Sequence, residues 1–346
     1  VNKMGDIGMK TMKTMNDEKD KKRNIRRITL DTKFCGIPLK DWPDPKPEEN
    51  PNPQPTQSNK QSIIAKNMLI NLKQTKLWDP VKSQWNGFMD ENGGLGNSNR
   101  YADAQLLGVL TEAVVGDRNL AKNMYANLKQ TVLYDPVKSQ WNNYMDENGK
   151  LEDSDRLAYA QLLGVLAEFF VGDKDLAKRM YDALKHTELY DRAKSQWNWR
   201  MDENGRLGNS NRPAGIQLVG VLTEFFVGDK DLAKRMHANL KHTELWDLVQ
   251  SQWNWKMDKN GKLEDSDRLA DDQLLGVLTE YLVGDKELAK NMYANLKQTV
   301  LWDPIKSQWN VFMNENGRLG NSNRLAHAQL LGILAEAVVG EGMEIR

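Results

Sequence analysis

The chain of 346 residues is short of the residue types on which many chemistries depend. It has one cysteine, Cys35, which excludes an intramolecular disulfide framework and any cysteine-cluster metal site. Only four histidines occur: His186, His237, His242 and His327. There is no His-Glu-x-x-His, no phosphate-binding glycine-rich loop and no nucleophile elbow. No apolar run approaches the roughly 18 residues of a membrane span. The N-terminus shows no apolar core of a signal peptide, and no Asn-x-Ser/Thr acceptor is present. The compartment stays open between cytoplasmic and secreted prokaryotic. Formal charge is zero but unevenly placed, with 11 Lys or Arg against 5 Asp or Glu in residues 1–40. The stretch Lys19 to Arg27 is a basic arm. It offers weak contacts to nucleic acid or an anionic surface, and its polarity equally suits a solvated tail.

What the chain does have is a unit of 56 residues written five times, marked by Ser-Gln-Trp-Asn with its tryptophan at Trp85, Trp141, Trp197, Trp253 and Trp309. The expected organisation is a basic N-terminal segment (1–42), a Pro-rich linker (43–60), five repeats (61–116, 117–172, 173–228, 229–284 and 285–340) and a short tail (341–346). In the second unit, Asp117 reads as the cap of an amphipathic outer helix, which Leu133-Tyr-Asp-Pro136 ends. Glu147-Asn148-Gly149 is a turn signal for a short β-hairpin between Gln140–Met145 and Lys150-Leu151. Asp153 or Ser154 is expected to cap an apolar inner helix that runs to Val171 and stops at Gly172. Glycine recurs inside that helix (Gly108, Gly164, Gly220, Gly276, Gly332), which implies close approach of neighbouring inner helices. Both ends of the array are apolar. The expected fold is therefore all-α: an α/α toroid of five α-hairpins, ten helices closed in a ring, with short β-hairpins inside each repeat. End-to-end association of chains is the alternative.

The phrase Leu133-Tyr-Asp-Pro…Gln140-Trp141…Met145-Asp…Asn148-Gly149…Asp153…Arg156-Leu-Ala…Ala160-Gln161…Leu166 resembles the repeated hairpin-and-helix phrase of the N-acylglucosamine 2-epimerase superfamily. It is similar too to the six-hairpin glycosidases. The resemblance implies a carbohydrate, or another hydroxyl-rich small molecule, bound where the hairpins lie. The chain departs from those families in three ways. It has Ser-Gln where they commonly have Gly-Gly before the tryptophan, five hairpins where they use about six, and near-identical units where theirs diverge. Of the histidines, only His327 falls in the matching phrase.

Comparing the five units singles out one column, three residues after the Arg that opens the inner helix: Asp103, Tyr159, Gly215, Asp271 and His327, followed in the fourth unit by Asp272. Asp103, Asp271 and His327 are the catalytic candidates, as acid and base on a sugar hydroxyl or glycosidic oxygen. Tyr159 and Asp272 are candidate ligand groups. At ~100° per residue the column lies about 160° from a stripe of Gln and Glu (Gln161 and Glu168 in the second unit). That stripe reads either as a polar lumen or as hydrogen bonding between helices. Tolerated drift at a helix start would explain the column without chemistry. The tryptophans Trp85, Trp141, Trp197, Trp253 and Trp309, with Trp199 and Trp255, are candidate platforms for sugar rings, or covers for the hairpin-to-helix junction. Asp146, Asn148, Glu152, Asp153 and Asp155 supply hard oxygens for Ca²⁺, though without EF-hand spacing. No other cofactor is implied. Two functions compete: a sugar epimerase, isomerase or glycosidase relative, and a non-catalytic scaffold or multivalent lectin-like module.

Overall fold

A computed structural model describes residues 63–345. The expected basic segment and Pro-rich linker lie outside these residues. Ten α-helices occur among the described residues: α1 (Ile63–Lys73), α2 (Ala102–Val114), α3 (Arg118–Leu128), α4 (Ala158–Val171), α5 (Lys174–Leu184), α6 (Ala214–Val227), α7 (Lys230–Leu240), α8 (Ala270–Val283), α9 (Lys286–Leu296) and α10 (Ala326–Ala335). They alternate between two kinds of sequence and two layers. The odd-numbered helices are one-faced: α3 buries only Ala121, Met124, Tyr125 and Leu128. The even-numbered helices are the core, and in α4 thirteen of fourteen residues are buried. A helix apolar on nearly every side is stable only when enclosed on every side.

Local signals set the helix ends. Asp117 caps α3, its carboxylate accepting from the backbone N–H of Asn119 and Leu120. The outer helix stops at Leu128, earlier than its following proline required. There the hydroxyl of Thr131 donates to the Leu128 carbonyl at 2.8 Å. Gly172 ends α4 as expected. The start of α4 differs from expectation. It begins at Ala158 with no side-chain cap, and Asp153 instead accepts from the Asp155 N–H in the preceding turn. The first inner-helix N–H groups find partners across the seam between units, Ala158 N–H donating to the Trp199 carbonyl at 3.0 Å and Ala102 N–H to that of Asn143 at 2.9 Å.

Each unit carries two small sheets. Tyr134–Asp135 pairs with Gln140–Trp141 as an antiparallel hairpin. Tyr144–Met145 pairs with Leu151–Asp153 and also with Arg100–Tyr101 of the preceding unit. The second sheet thus spans two units, a link that the Asn-Gly turn signal did not reveal. The same link joins the last unit to the first, with Arg324–Leu325 antiparallel to Phe88–Met89. The inner helices pack in the same order, α2 on α4, α4 on α6, α6 on α8, α8 on α10 and α10 on α2.

The mid-helix glycines have a different reason from the one expected. A Cβ at Gly164 would overlap the indole of Trp141, not a neighbouring inner helix, and the other four glycines meet their own tryptophans in the same way.

Candidate functional site

The face of the inner helix that carries Gln and Glu is committed to structure. Trp141 N–H donates to Gln161 Oε1 at 2.9 Å, and Gln161 Nε2 donates back to the Trp141 carbonyl at 2.6 Å. This reciprocal pair recurs in all five units. Seven residues on, buried Glu168 accepts from Tyr125 Oη, Lys129 Nζ and the Asp173 backbone N–H, all within 2.9 Å. A buried carboxylate so fully served bears little of the usual desolvation penalty. Since this face grips the hairpin and the outer helix, the opposite face, which carries the column, turns to the space between the inner helices. The ~160° offset follows from that division of labour.

In the first turns of the inner helices, groups from four units converge. His327 Nε2 lies 3.2 Å from Asp271 Oδ2. Their side chains keep 18% and 15% of their exposure, so both are reached by water although ringed by helices. The Asp103 carboxylate accepts from the Ala104 N–H at 2.6 Å. Tyr159 and Asp272 are buried at 8% and 3% exposure. A Cβ at Gly215 would overlap the Asp272 carboxylate. The glycine in the column is thus a space kept for Asp272. The hydroxyl of Tyr159 and Oδ2 of Asp272 have no protein partner.

Charge in this cluster is unevenly held. Burial works against protonating His327, but the hydrogen bond and charge of Asp271, helped by the charge of Asp103, outweigh it and raise the imidazole to about 9. Burial pushes the Asp103 carboxyl up, with His327 and the Ala104 N–H pulling it down and Asp271 adding to the rise. Burial, reinforced by Asp271, holds Asp272 well above the carboxylate range. Tyr159 is raised by burial and then by the charges of Asp271, Asp103 and Asp272. At neutral pH the arrangement is a cationic imidazole against Asp271 with the Asp103 carboxyl beside it, while burial biases Asp272 towards its protonated, hydrogen-bond-donating form and keeps Tyr159 a phenol.

The remaining candidates fall elsewhere. Trp85, Trp141, Trp197, Trp253 and Trp309 are at most 1% exposed. Each lies on its inner-helix glycine and beside an aromatic neighbour, Tyr134 for Trp141 at a ring separation of 4.9 Å. They are core, and no ring face is open for a sugar. Trp199 and Trp255 are half-buried and meet edge to face at 6.3 Å. Their carbonyls accept the N–H groups of Ala158 and Ala214, which places them at the starts of the helices carrying Tyr159 and Gly215. The Ca²⁺ candidates are engaged in turns. Asp146 accepts from the backbone of Asn148 and Lys150, Glu152 pairs with Lys150, Asp153 accepts from the Asn143 side chain, and Asp155 pairs with Arg200 at 3.1 Å. Among the described residues no group of three or more His, Cys, Asp or Glu is arranged to hold a metal.

No protein-family model matches the chain, and no curated protein matches it in sequence. Solved structures do match in shape. Cellobiose 2-epimerase from Bacillus thermoamylovorans aligns with a TM-score of 0.55 at 12% identity, over 80% of this chain and 86% of that one. A D-mannose isomerase gives 0.55 at 11%, over 80% and 96%. A GH8 xylobiose complex from Teredinibacter turnerae gives 0.55 at 11%, over 82% and 95%. The protein therefore has an α/α-toroid fold. That fold is what it has in common with these epimerase, isomerase and GH8 structures.

Proposed function

We propose that the protein is a carbohydrate-processing toroid whose five α-hairpins close into one ring, with its ligand site at the hairpin face. The pairing of Arg324–Leu325 with Phe88–Met89 supports closure. The observation that carries the chemistry is the His327–Asp271 pair at 3.2 Å, with Asp103 coupled to both. In this reading the imidazolium of His327 gives a proton to a hydroxyl or glycosidic oxygen. Asp271 orients and charges the ring, and Asp103 is the partner that takes a proton up. Tyr159 and Asp272 donate to sugar hydroxyls, and Trp199 and Trp255 flank the entrance. The three carbohydrate-active structures of similar fold make sugars the substrate class to test first. Incubation with cellobiose, mannose and xylo-oligosaccharides, followed by product chromatography, should show turnover that His327→Ala or Asp271→Asn lowers by at least about 100-fold. Unchanged turnover in both variants would remove the cluster from the mechanism.

The near-identity of the units favours a second reading, a repeat-built scaffold or multivalent module. In it the column is a tolerated irregularity, and binding has a stoichiometry near five, unaffected by Asp271→Asn.

A further inference from the structure

The outer helices pair with the inner helices in one repeated way. Each lies on the inner helix of the unit before it, α3 on α2, α5 on α4, α7 on α6 and α9 on α8, and a Gly-Asp turn joins the two. The aspartate of that turn, Asp117, Asp173, Asp229 or Asp285, caps the outer helix it leads into. The fifth pair is split. α1 lies on α10, yet these helices stand at opposite ends of the repeat array, so a short turn cannot join them.

Residues 341–345 take over what the turn does elsewhere. Glu341 follows Gly340 as Asp117 follows Gly116, and its carboxylate reaches the first turn of α1. Oε1 accepts from the Ile64 N–H and Oε2 from the Ala65 N–H, each at 3.2 Å. A carboxylate at that place serves both the open N–H groups and the helix dipole. The aim of Glu341 comes from the way α10 ends. In α4, α6 and α8 the terminal glycine N–H donates to the carbonyl four residues back. α10 instead widens into a π-helical turn over Glu336–Gly340, and the Glu341 N–H donates to the Glu336 carbonyl, five back, at 2.9 Å. The wider turn redirects the chain that follows it.

Gly342, at a φ of 71°, then reverses the backbone, and the Met343 N–H returns to the Ala337 carbonyl at 2.9 Å. Met343 and Ile345 are half-buried against the core. Ala337 and Val338 are wholly buried, whereas their larger counterparts Phe225 and Phe226 are only half-buried. The returning chain accounts for that difference. A helix held on its neighbour without a link gains more freedom on separating than one tied by a short turn, so this pair is the least secured of the five. α10 also carries His327 and packs on α2, which carries Asp103, so the seam in question is the one at the acid and base candidates. We propose that residues 341–345 are a strap holding α1 on α10, and that this split pair is where the ring opens while the other four stay closed. The inference rests on the closed ring of the preceding reading and not on its chemistry.

The test is hydrogen exchange of the full chain read by mass spectrometry, in the wild type, Glu341→Ala and Met343→Asp. Asp229→Ala serves as the loss of a cap within a continuous pair. Glu341→Ala and Met343→Asp should each speed exchange over 63–73 and 336–345 together by about tenfold, leaving 230–240 unchanged. Asp229→Ala should speed only the first turn of α7. Glu341→Gln, which keeps one acceptor oxygen, should give the same pattern at smaller amplitude if the alanine variant folds poorly. Unchanged exchange of α1 in both strap variants, or opening of α1 only together with the other outer helices, overturns the strap alone. Freely exchanging amides at Phe88–Met89 and Leu325 in the wild-type chain overturn the closed ring, and the strap with it.

Discussion

At the scale of single residues, the repeats show what each side chain contributes by where one copy departs. In three units a tyrosine on the outer helix donates to the buried glutamate, as Tyr181 does to Glu224 at 2.7 Å. The fourth unit has His237 instead. Its Nε2 lies 3.4 Å from Glu280 without forming a hydrogen bond, and burial, helped by Lys241 and opposed by Glu280, holds the imidazole below its ordinary value. His237→Tyr should restore the missing bond and raise stability by about 1 kcal/mol in denaturant unfolding. A second residue-scale feature is shared by all copies. Ser139 and its four equivalents have φ of 51–53°, the left-handed region that costs a non-glycine residue about 1–2 kcal/mol. Ser139→Gly should raise the midpoint of urea unfolding, the gain being trimmed to about 1 kcal/mol by the extra freedom of glycine when unfolded. Serine carries no sign of this backbone state in the sequence, whereas Asp117 and Gly172 announce theirs.

At the scale of elements, the inner helix, the outer helix and their order were legible because burial on all sides and burial on one stripe write different patterns. The sheets between units were not legible. A two-residue strand has no periodicity of its own, and its partner lies in the next repeat. The Gln–Trp pair marks the same limit. The glutamine on one face of the helix read as a lumen lining or a helix-to-helix bond, but it holds the backbone of a tryptophan 20 residues earlier in the chain. Gln161→Leu keeps the volume but leaves the Trp141 N–H and carbonyl buried without partners. It should cost about 2 kcal/mol or more in unfolding experiments. A cost near zero would mean that the hairpin is held by packing of the indole alone.

At the scale of the whole molecule, the unequal column becomes a pH dependence. His327 has a folded value of about 9 against 6.5 for the free group. Its contribution to stability is therefore complete below about pH 6.5 and is lost as pH rises through about 9. The raised carboxyls Asp103 and Asp272 act in the same sense, since the unfolded chain ionises them more readily as pH rises. The melting temperature should fall between pH 7 and 10, and His327→Gln should flatten that fall. An identical alkaline slope in the variant would mean that the imidazole is not the group responsible. The column itself was legible as a departure from repetition. That a closed ring sets Asp103 beside His327 was legible too; that Asp271 and Tyr159 join them was not, because those groups come from units 56 to 168 residues away in the chain.

The strand link from Arg324–Leu325 back to Phe88–Met89 uses the same register as every other seam, Arg opposite Met and the residue after that Arg opposite the one before that Met. A junction of that kind carries no label saying which copies it joins. A gene that gained or lost one unit would offer the same strand pairing at each seam, so that pairing alone does not count the copies. The count is felt only where the units differ. With a sixth unit inserted after the fifth, His327 and Asp103 would no longer be next neighbours, although both would still sit in well-formed helices. Copy number in this protein is thus a variable that the seam pairing does not register and on which the arrangement of its centre depends.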